Sequence, residues 1–204
     1  MGTIEELLQS RPSENRLETV KLRAAVERLC HGSEAERADA IRVLLSLGAR
    51  GSSLLVAALE TLPLPSATQA LEGLARTQPA GLASCLADLL WAQNPELRLL
   101  AVRWADRLDD EQAKPLLKRA LADAHPELRR RALTYVGWRR SLWAQTDVLV
   151  LCRDPDPEVE WAALETLAVL NPAVAREMVQ TRLPRLDPIK LRRAVFLLER
   201  KDLP

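Results

Sequence analysis

Several residue types are scarce in this chain, and each scarcity excludes something. There are only three cysteines in 204 residues, Cys30, Cys85 and Cys152. They are odd in number and far apart, so no disulfide framework is expected. The only histidines are His31 and His125, which leaves few members for a Cys–His or Ser–His catalytic pair. Cys30 and His31 are adjacent, with no C-x-x-C or H-x-x-x-H partner nearby, so neither a metal site nor a cofactor is predicted. Glycine is sparse at seven residues, and GARGSS at 48–53 lacks the lysine and spacing of a phosphate-binding loop. No apolar run reaches the ~18 residues that span a bilayer. The opening MGTIEELLQSRPSEN lacks the basic region and apolar core of a secretory signal, so the cytoplasm is the expected compartment. A formal charge of +1 argues against a protein that coats nucleic acid, and leaves such a ligand only a local basic patch.

What the chain does have is helix-forming sequence, rich in Ala, Leu, Arg and Glu, with 48% hydrophobic residues. The nearest strand candidate, VLVLC at 148–152, falls inside a helix once the repeat register is read. That register is set by Pro95, Pro126, Pro157 and Pro188, where 126−95, 157−126 and 188−157 all equal 31. Asn94, His125, Asp156 and Asp187 precede these prolines. Asn or Asp caps the free amides of a helix start, Pro fits the first helical position, and a following Glu complements the helix dipole. His125 is the weak member.

Aligned on the prolines, Ala101, Ala132, Ala163 and Ala194 form one column and Val102, Leu133, Leu164 and Val195 the next. Second helices keep the same step: Leu55, Leu86, Leu117, Val148 and Val179, then Leu59, Leu90, Leu121, Cys152 and Leu183. A fixed period of this length marks units that bury their apolar faces only against their neighbours. The expected architecture is an all-α solenoid of stacked antiparallel helix pairs. It comprises N-terminal capping helices over 1–32, five helical hairpins over 33–183 and a C-terminal capping helix over 188–201, with no internal domain boundary.

Local signals fill in the remaining elements. Thr3 with Glu6, Ser33 with Glu36, and Ser66 with Gln69 read as capping boxes. A first helix is expected over 4–9, and Pro12 breaks it. The next follows Ser13, with Leu17, Val20, Ala24, Ala25 and Leu29 on its inner face. Gly48 should stop a helix, a partner should run over 52–62, and the prolines at 63 and 65 should break the chain. The last helix should bury Leu191, Ala194, Val195 and Leu198.

The run DPEVEWAALETLAVL at 156–170, with NPELRLLAVRWADRL and HPELRRRALTYVGWR, resembles the HEAT-like repeat of phycobilisome-lyase-type and other bacterial HEAT proteins, whose unit opens D-P-x-V-R and continues A-x-x-A-L-x-x-L. The likeness covers roughly residues 33–201. It implies a right-handed superhelix with first helices convex and second helices concave. It says little about function, because such repeats serve scaffolds, adaptors, assembly factors and a few enzymes.

Candidate site residues follow from charge and tryptophan. Residues 114–140 carry Lys114, Lys118, Arg119, Arg129, Arg130, Arg131, Arg139 and Arg140 against Asp123 and Glu127, which is 8−2 or +6. Residues 147–165 carry six acids against Arg153, which is 1−6 or −5. A surface polarised in this way suits a protein partner of complementary charge. The acids Asp154, Asp156, Glu158 and Glu160 read as a turn and a capped helix rather than a cation site. Of the five tryptophans, Trp104 shares a column with Tyr135 and should be core. Trp138 beside Arg139 and Arg140 has the composition of an interface hot spot. Trp143 lies one position before Ala144, whose column is inward, so its ring should flank a second helix near Asp147.

Two functions fit. The first is a non-enzymatic scaffold, adaptor or assembly factor, with no catalytic residue, that binds a protein through Trp138, Arg139, Arg140, Trp143, Asp147, Lys118, Arg119, Arg129 and Arg130. The alternative is similarity to alkylpurine DNA glycosylases, repeat enzymes that use concave tryptophans, an aspartate and basic residues. Trp143 and Asp147 are one helical turn apart, as that family's pair is, and Arg182 lies on the next repeat. A second concave tryptophan downstream of Asp147 is missing. A chromophore-lyase subunit is suggested by fold analogy alone.

Overall fold

The computed structural model describes residues 16–77, 79–181, 192, 194 and 195. The expected box of Thr3 and Glu6, the helix over 4–9, the Ser13 cap, Leu183, Arg182 and most of the helix over 188–201 lie outside these residues. All regular structure among the described residues is helical. The chain divides into two compact units, Met1–Ala101 and Val102–Pro204.

The first unit contains α1 (Arg16–His31), α2 (Glu34–Ser46), α3 (Gly48–Ala58) with a 3-10 turn at Leu59–Thr61, α4 (Leu64–Thr77) and α5 (Pro79–Leu89). α2 pairs with α3 and α4 with α5, while α1 packs on α2 and α3. Ser33 and Glu36 form the expected box: the Glu36 N–H donates to Ser33 Oγ at 3.4 Å, and the Ser33 N–H donates to Glu36 Oε2 at 2.8 Å. That backbone donor, followed by the Ser33 hydroxyl, holds the Glu36 carboxyl below its ordinary range.

Three expectations in this unit need correction. α1 buries Leu22, Ala25 and Leu29, whereas Val20 and Ala24 are exposed, so the apolar stripe keeps its spacing but is rotated. α3 begins at Gly48 rather than Ser52, which is buried inside it. Gly48, with φ +65°, makes the corner between α2 and α3 in one residue. Gly51 then packs on α2 so closely that a Cβ there would lie 1.9 Å from the Leu44 carbonyl oxygen. Lastly, Pro63 and Pro65 start α4 instead of breaking the chain: the Pro63 carbonyl accepts from the Ala67 N–H, and Ser66 is buried within the helix rather than capping it. Proline has no N–H to lose in a first turn, which explains this placement.

α6 (Pro95–Trp104) leads into the second unit, which continues with a 3-10 turn at Ala105–Arg107, α7 (Asp110–Leu121), α8 (Pro126–Trp138), a 3-10 turn at Leu142–Ala144, α9 (Gln145–Leu151), α10 (Pro157–Leu170) and α11 (Pro172–Gln180). First helices α8 and α10 pack side by side; α8 also packs on α7, and α10 on α9 and α11. Asn94 Oδ1 accepts from the Glu96 N–H at 2.9 Å, and Asp156 Oδ1 accepts from the N–H groups of Glu158 and Val159 at 3.0 and 3.1 Å. His125 makes no side-chain cap, as its type predicts; its own N–H donates to Asp123 Oδ1 at 2.8 Å. VLVLC is helical up to Leu151, with Cys152 as the C-cap.

The columns are where the fold is held. Ala101, Ala132, Ala163 and Ala194 are each 0% exposed, and Leu55, Leu86, Leu117, Val148 and Val179 are at most 1% exposed. Burying one such Leu or Val is worth roughly 1.5–3 kcal/mol, and the small alanines let neighbouring helices approach. Val195 departs from its column at 40% exposure.

Candidate protein-binding surface

Four of the arginines that make residues 114–140 basic lie against acids of the same unit. Arg129 leaves the first turn of α8 and forks onto Asp154, with Nε to Oδ2 at 2.8 Å and a terminal nitrogen to Oδ1 at 2.7 Å. Its other terminal nitrogen donates to the carbonyls of Asp123 and Ala124. The two side chains are 12% and 4% exposed. Burial works to raise the Asp154 carboxyl, but the hydrogen bonds from Arg129 and the Asp156 N–H, with the Arg129 charge, outweigh it and leave it below the usual range. The same bond to Asp154 raises Arg129 against its desolvation.

Arg139 does similar work at the other end of α8. It donates to Asp110 Oδ1 at 2.7 Å and to the carbonyls of Ala105, Asp106 and Leu108 around the 3-10 turn. Its side chain is 15% exposed. Arg130 and Arg131 both reach Glu127, at 2.7 and 3.8 Å. The basic stretch is therefore largely neutralised inside its own repeats, and Arg129 and Arg139 are ties between segments rather than exposed contacts. A guanidinium already engaged on a carboxylate and on several carbonyls has few donors left for a partner.

The remaining candidates fall into two places. On the second helices, Lys118 on α7 is exposed and Arg119 is half-buried, while Trp143, in the 3-10 turn before α9, and Asp147, in the first turn of α9, are half-buried. Lys114, on α7, brings its Nζ to 6.0 Å from the Trp143 ring centroid. The Ala144 column is inward as expected, with Leu82, Ala113, Ala144 and Ala175 all buried. Arg140 is exposed in the left-handed region at φ 50°.

The second place is on the first helices. Trp138, the last residue of α8, is 71% exposed. Its ring meets Tyr135 edge-on at 5.5 Å between centroids, which fixes the indole without covering it. With Thr134 and Gly137 it forms one wall of a groove, and Ala162, Glu165, Thr166 and Val169 of α10 form the other. The groove, about 230 Å³, is smaller than the ~300–1,000 Å³ of small-molecule pockets. Trp138 and Val169 occupy equivalent positions, since 169−138 is 31, as do Thr134 and Glu165. The walls are thus one helix face repeated. Except for Trp138, nothing in the sequence marked this groove; Gly137 inside a helical run was the available signal.

Trp104 and Trp161 are core, at 7% and 2% exposure. Burial pushes the Cys85 thiol up to about 12, and Cys152 is also buried. Among the described residues no three His, Cys, Asp or Glu side chains are grouped to hold a metal ion. No described helix is long and apolar enough to cross a membrane.

Residues 83–168 match the family model of HEAT repeats. No curated protein matches the chain in sequence. Among solved structures it is similar to Escherichia coli YibA, at 13% identity over 97% of this chain and 92% of that chain, with a TM-score of 0.54. It is also similar to the complex of CpcE and CpcF of phycocyanin lyase from Nostoc sp. PCC7120, at 20% identity over 92% and 79%, TM-score 0.47. An engineered protein matches at 20% identity over 98% and 96%, TM-score 0.49. The 31-residue columns, the helical hairpins they bury and the matched family model together identify this chain as a HEAT-like helical repeat protein.

Proposed function

We propose that the chain is a non-enzymatic interaction module, a scaffold, adaptor or assembly factor that holds a partner protein on its second unit. The observation that carries this reading is Trp138, a large aromatic held at 71% exposure beside a groove between two packed helices. Tryptophan at the edge of a small concavity is the residue type that dominates binding energy at protein interfaces. Stacked repeats support the same reading, because each unit buries one face on its neighbours and leaves the rest as continuous surface. Lys118, Arg119, Arg130, Arg140, Trp143 and Asp147 are proposed as further contacts, while Arg129 and Arg139 support the surface from within.

A photocrosslinking amino acid at position 138, with exposed position 60 as control, tests this in native cells. The expected result is a discrete protein adduct at 138 that is absent at 60. Equal, diffuse labelling at both positions would overturn the proposal. The nucleic-acid alternative depends on Trp143, which is half-buried with Lys114 over its ring and so offers little stacking platform for a base.

A further inference from the structure

We infer that Gly137 is a specificity-determining residue of this surface: by carrying no side chain it keeps the groove beside Trp138 open for one branched aliphatic side chain, a leucine, of the partner protein. This rests on the reading of that face as a protein-binding surface and adds the chemistry of what binds. Gly137 is a glycine that the fold does not require. Gly48 has φ +65°, and a Cβ on Gly32, Gly51 or Gly73 would overlap the Arg28 carbonyl, the Leu44 carbonyl or the Leu45 side chain. Gly137, by contrast, is helical within α8, and a Cβ there would meet only Thr166, at 3.6 to 3.9 Å, an ordinary contact. Glycine inside a helix costs stability relative to alanine, so its place in the groove wall has another reason.

The first unit shows what fills this position. Leu45 follows buried Leu44 on α2 as Gly137 follows buried Val136 on α8, and Gly73 precedes buried Leu74 on α4 as Thr166 precedes buried Leu167 on α10. Between α2 and α4 the Leu45 side chain lies over Gly73. Between α8 and α10 that leucine is absent. Thr166 does not replace it, being 5% exposed and tied to α8 by a hydroxyl that donates to the Leu133 carbonyl at 3.1 Å. The Thr134 hydroxyl likewise donates to its own helix, to the Arg130 carbonyl at 3.1 Å. Both hydroxyl protons are therefore engaged within the chain, and Gly137, Ala162, Val169 and the Trp138 ring line the groove with apolar surface. A leucine from the partner restores there the packing that Leu45 supplies from within the first unit. The groove, at about 230 Å³, holds one such side chain rather than a helix or strand.

The test uses the whole chain labelled with 15N at its tryptophan indoles, with the Trp138 signal assigned through Trp138→Phe. The N-acetyl methylamides of leucine, alanine, arginine and glutamate are titrated in turn. The leucine amide should shift the Trp138 indole saturably and the alanine amide more weakly, with no response to the two charged amides. Gly137→Ala should weaken leucine binding about fourfold, the worth of one methylene-sized group, while raising the midpoint of thermal unfolding, because alanine is the better helix former. Gly137→Leu, which supplies the aliphatic group from within, should abolish binding. A lowered midpoint in Gly137→Ala would mean that glycine serves packing and would overturn the inference, as would leucine binding that is unchanged in both variants. An equal response to the arginine or glutamate amide, or none to leucine, would overturn it while leaving the interaction module standing. The crosslink at position 138 reports on that module independently.

Discussion

The two units keep one register with different terminal chemistry. In the first, helices start from a Ser33–Glu36 box, from the Gly48 corner, from prolines placed in the first turn of α4 and, next to the boundary, from Asn94-Pro95. In the second, they start from Asp156-Pro157 or its degraded form at His125-Pro126, and the segments are tied by Arg129 to Asp154 and by Arg139 to three carbonyls. The inward columns are buried alike in both, from Leu55 to Val179. Side-chain columns therefore specify the stacking, and the ends of helices are free to vary. His125 gives no side-chain cap, and Arg129 ties the carbonyls just before it as Arg98 does ahead of the capped start at Asn94, so that tie is independent of the cap.

Four substitutions bear on that contrast, and urea unfolding measures each. Trp161→Ala, which empties a core position at 2% exposure, should cost about 3–5 kcal/mol. Asp154→Ala leaves the Arg129 guanidinium unpaired in a side-chain environment only 12% exposed, and should cost about 3 kcal/mol. Ser33→Ala removes one cap from an exposed helix start in the first unit and should cost about 1 kcal/mol. Trp138→Ala should change stability by less than about 0.5 kcal/mol, because its ring is already in solvent. If Ser33→Ala were as damaging as Asp154→Ala, the distinction between local caps and buried ties would fail.

The Asp154 pair also sets a pH dependence. Its folded carboxyl lies below the unfolded value of about 3.9. Its contribution is therefore complete above that pH and is lost as the pH falls through the lowered folded value. Asp154→Asn should flatten the acid limb of the stability curve, and acid titration followed by circular dichroism reads this directly. A smaller effect concerns thiols: Cys30 is exposed whereas Cys85 and Cys152 are buried, so a thiol reagent should label Cys30 first in the folded protein.

Much of the fold was legible because a 31-residue period repeats the same apolar choice in every unit, and repetition averages out local ambiguity. Boundaries were less legible where one residue type has two uses. Pro63 and Pro65 read as breakers but serve as a helix start, Ser66 reads as a cap but is buried inside α4, and Ser52 reads as a helix start but is buried inside α3. The site was less legible still. Net charge over 114–140 counted arginines without showing that Arg129 and Arg139 turn inward, because ion pairs between segments such as 129 and 154 leave no local spacing signal. Trp138 was visible as an arginine-flanked tryptophan. The groove beside it was not, since half its walls come from α10.

The central claim is that Trp138 carries the partner contact while the core carries the fold. The most direct measurement is the affinity of the protein crosslinked at position 138 for the purified wild-type chain and for Trp138→Ala, with thermal unfolding of both. The account predicts at least a tenfold loss of affinity, as for an interface hot spot, with an unchanged melting temperature. Unchanged affinity, or a loss that appears only together with unfolding, would contradict it.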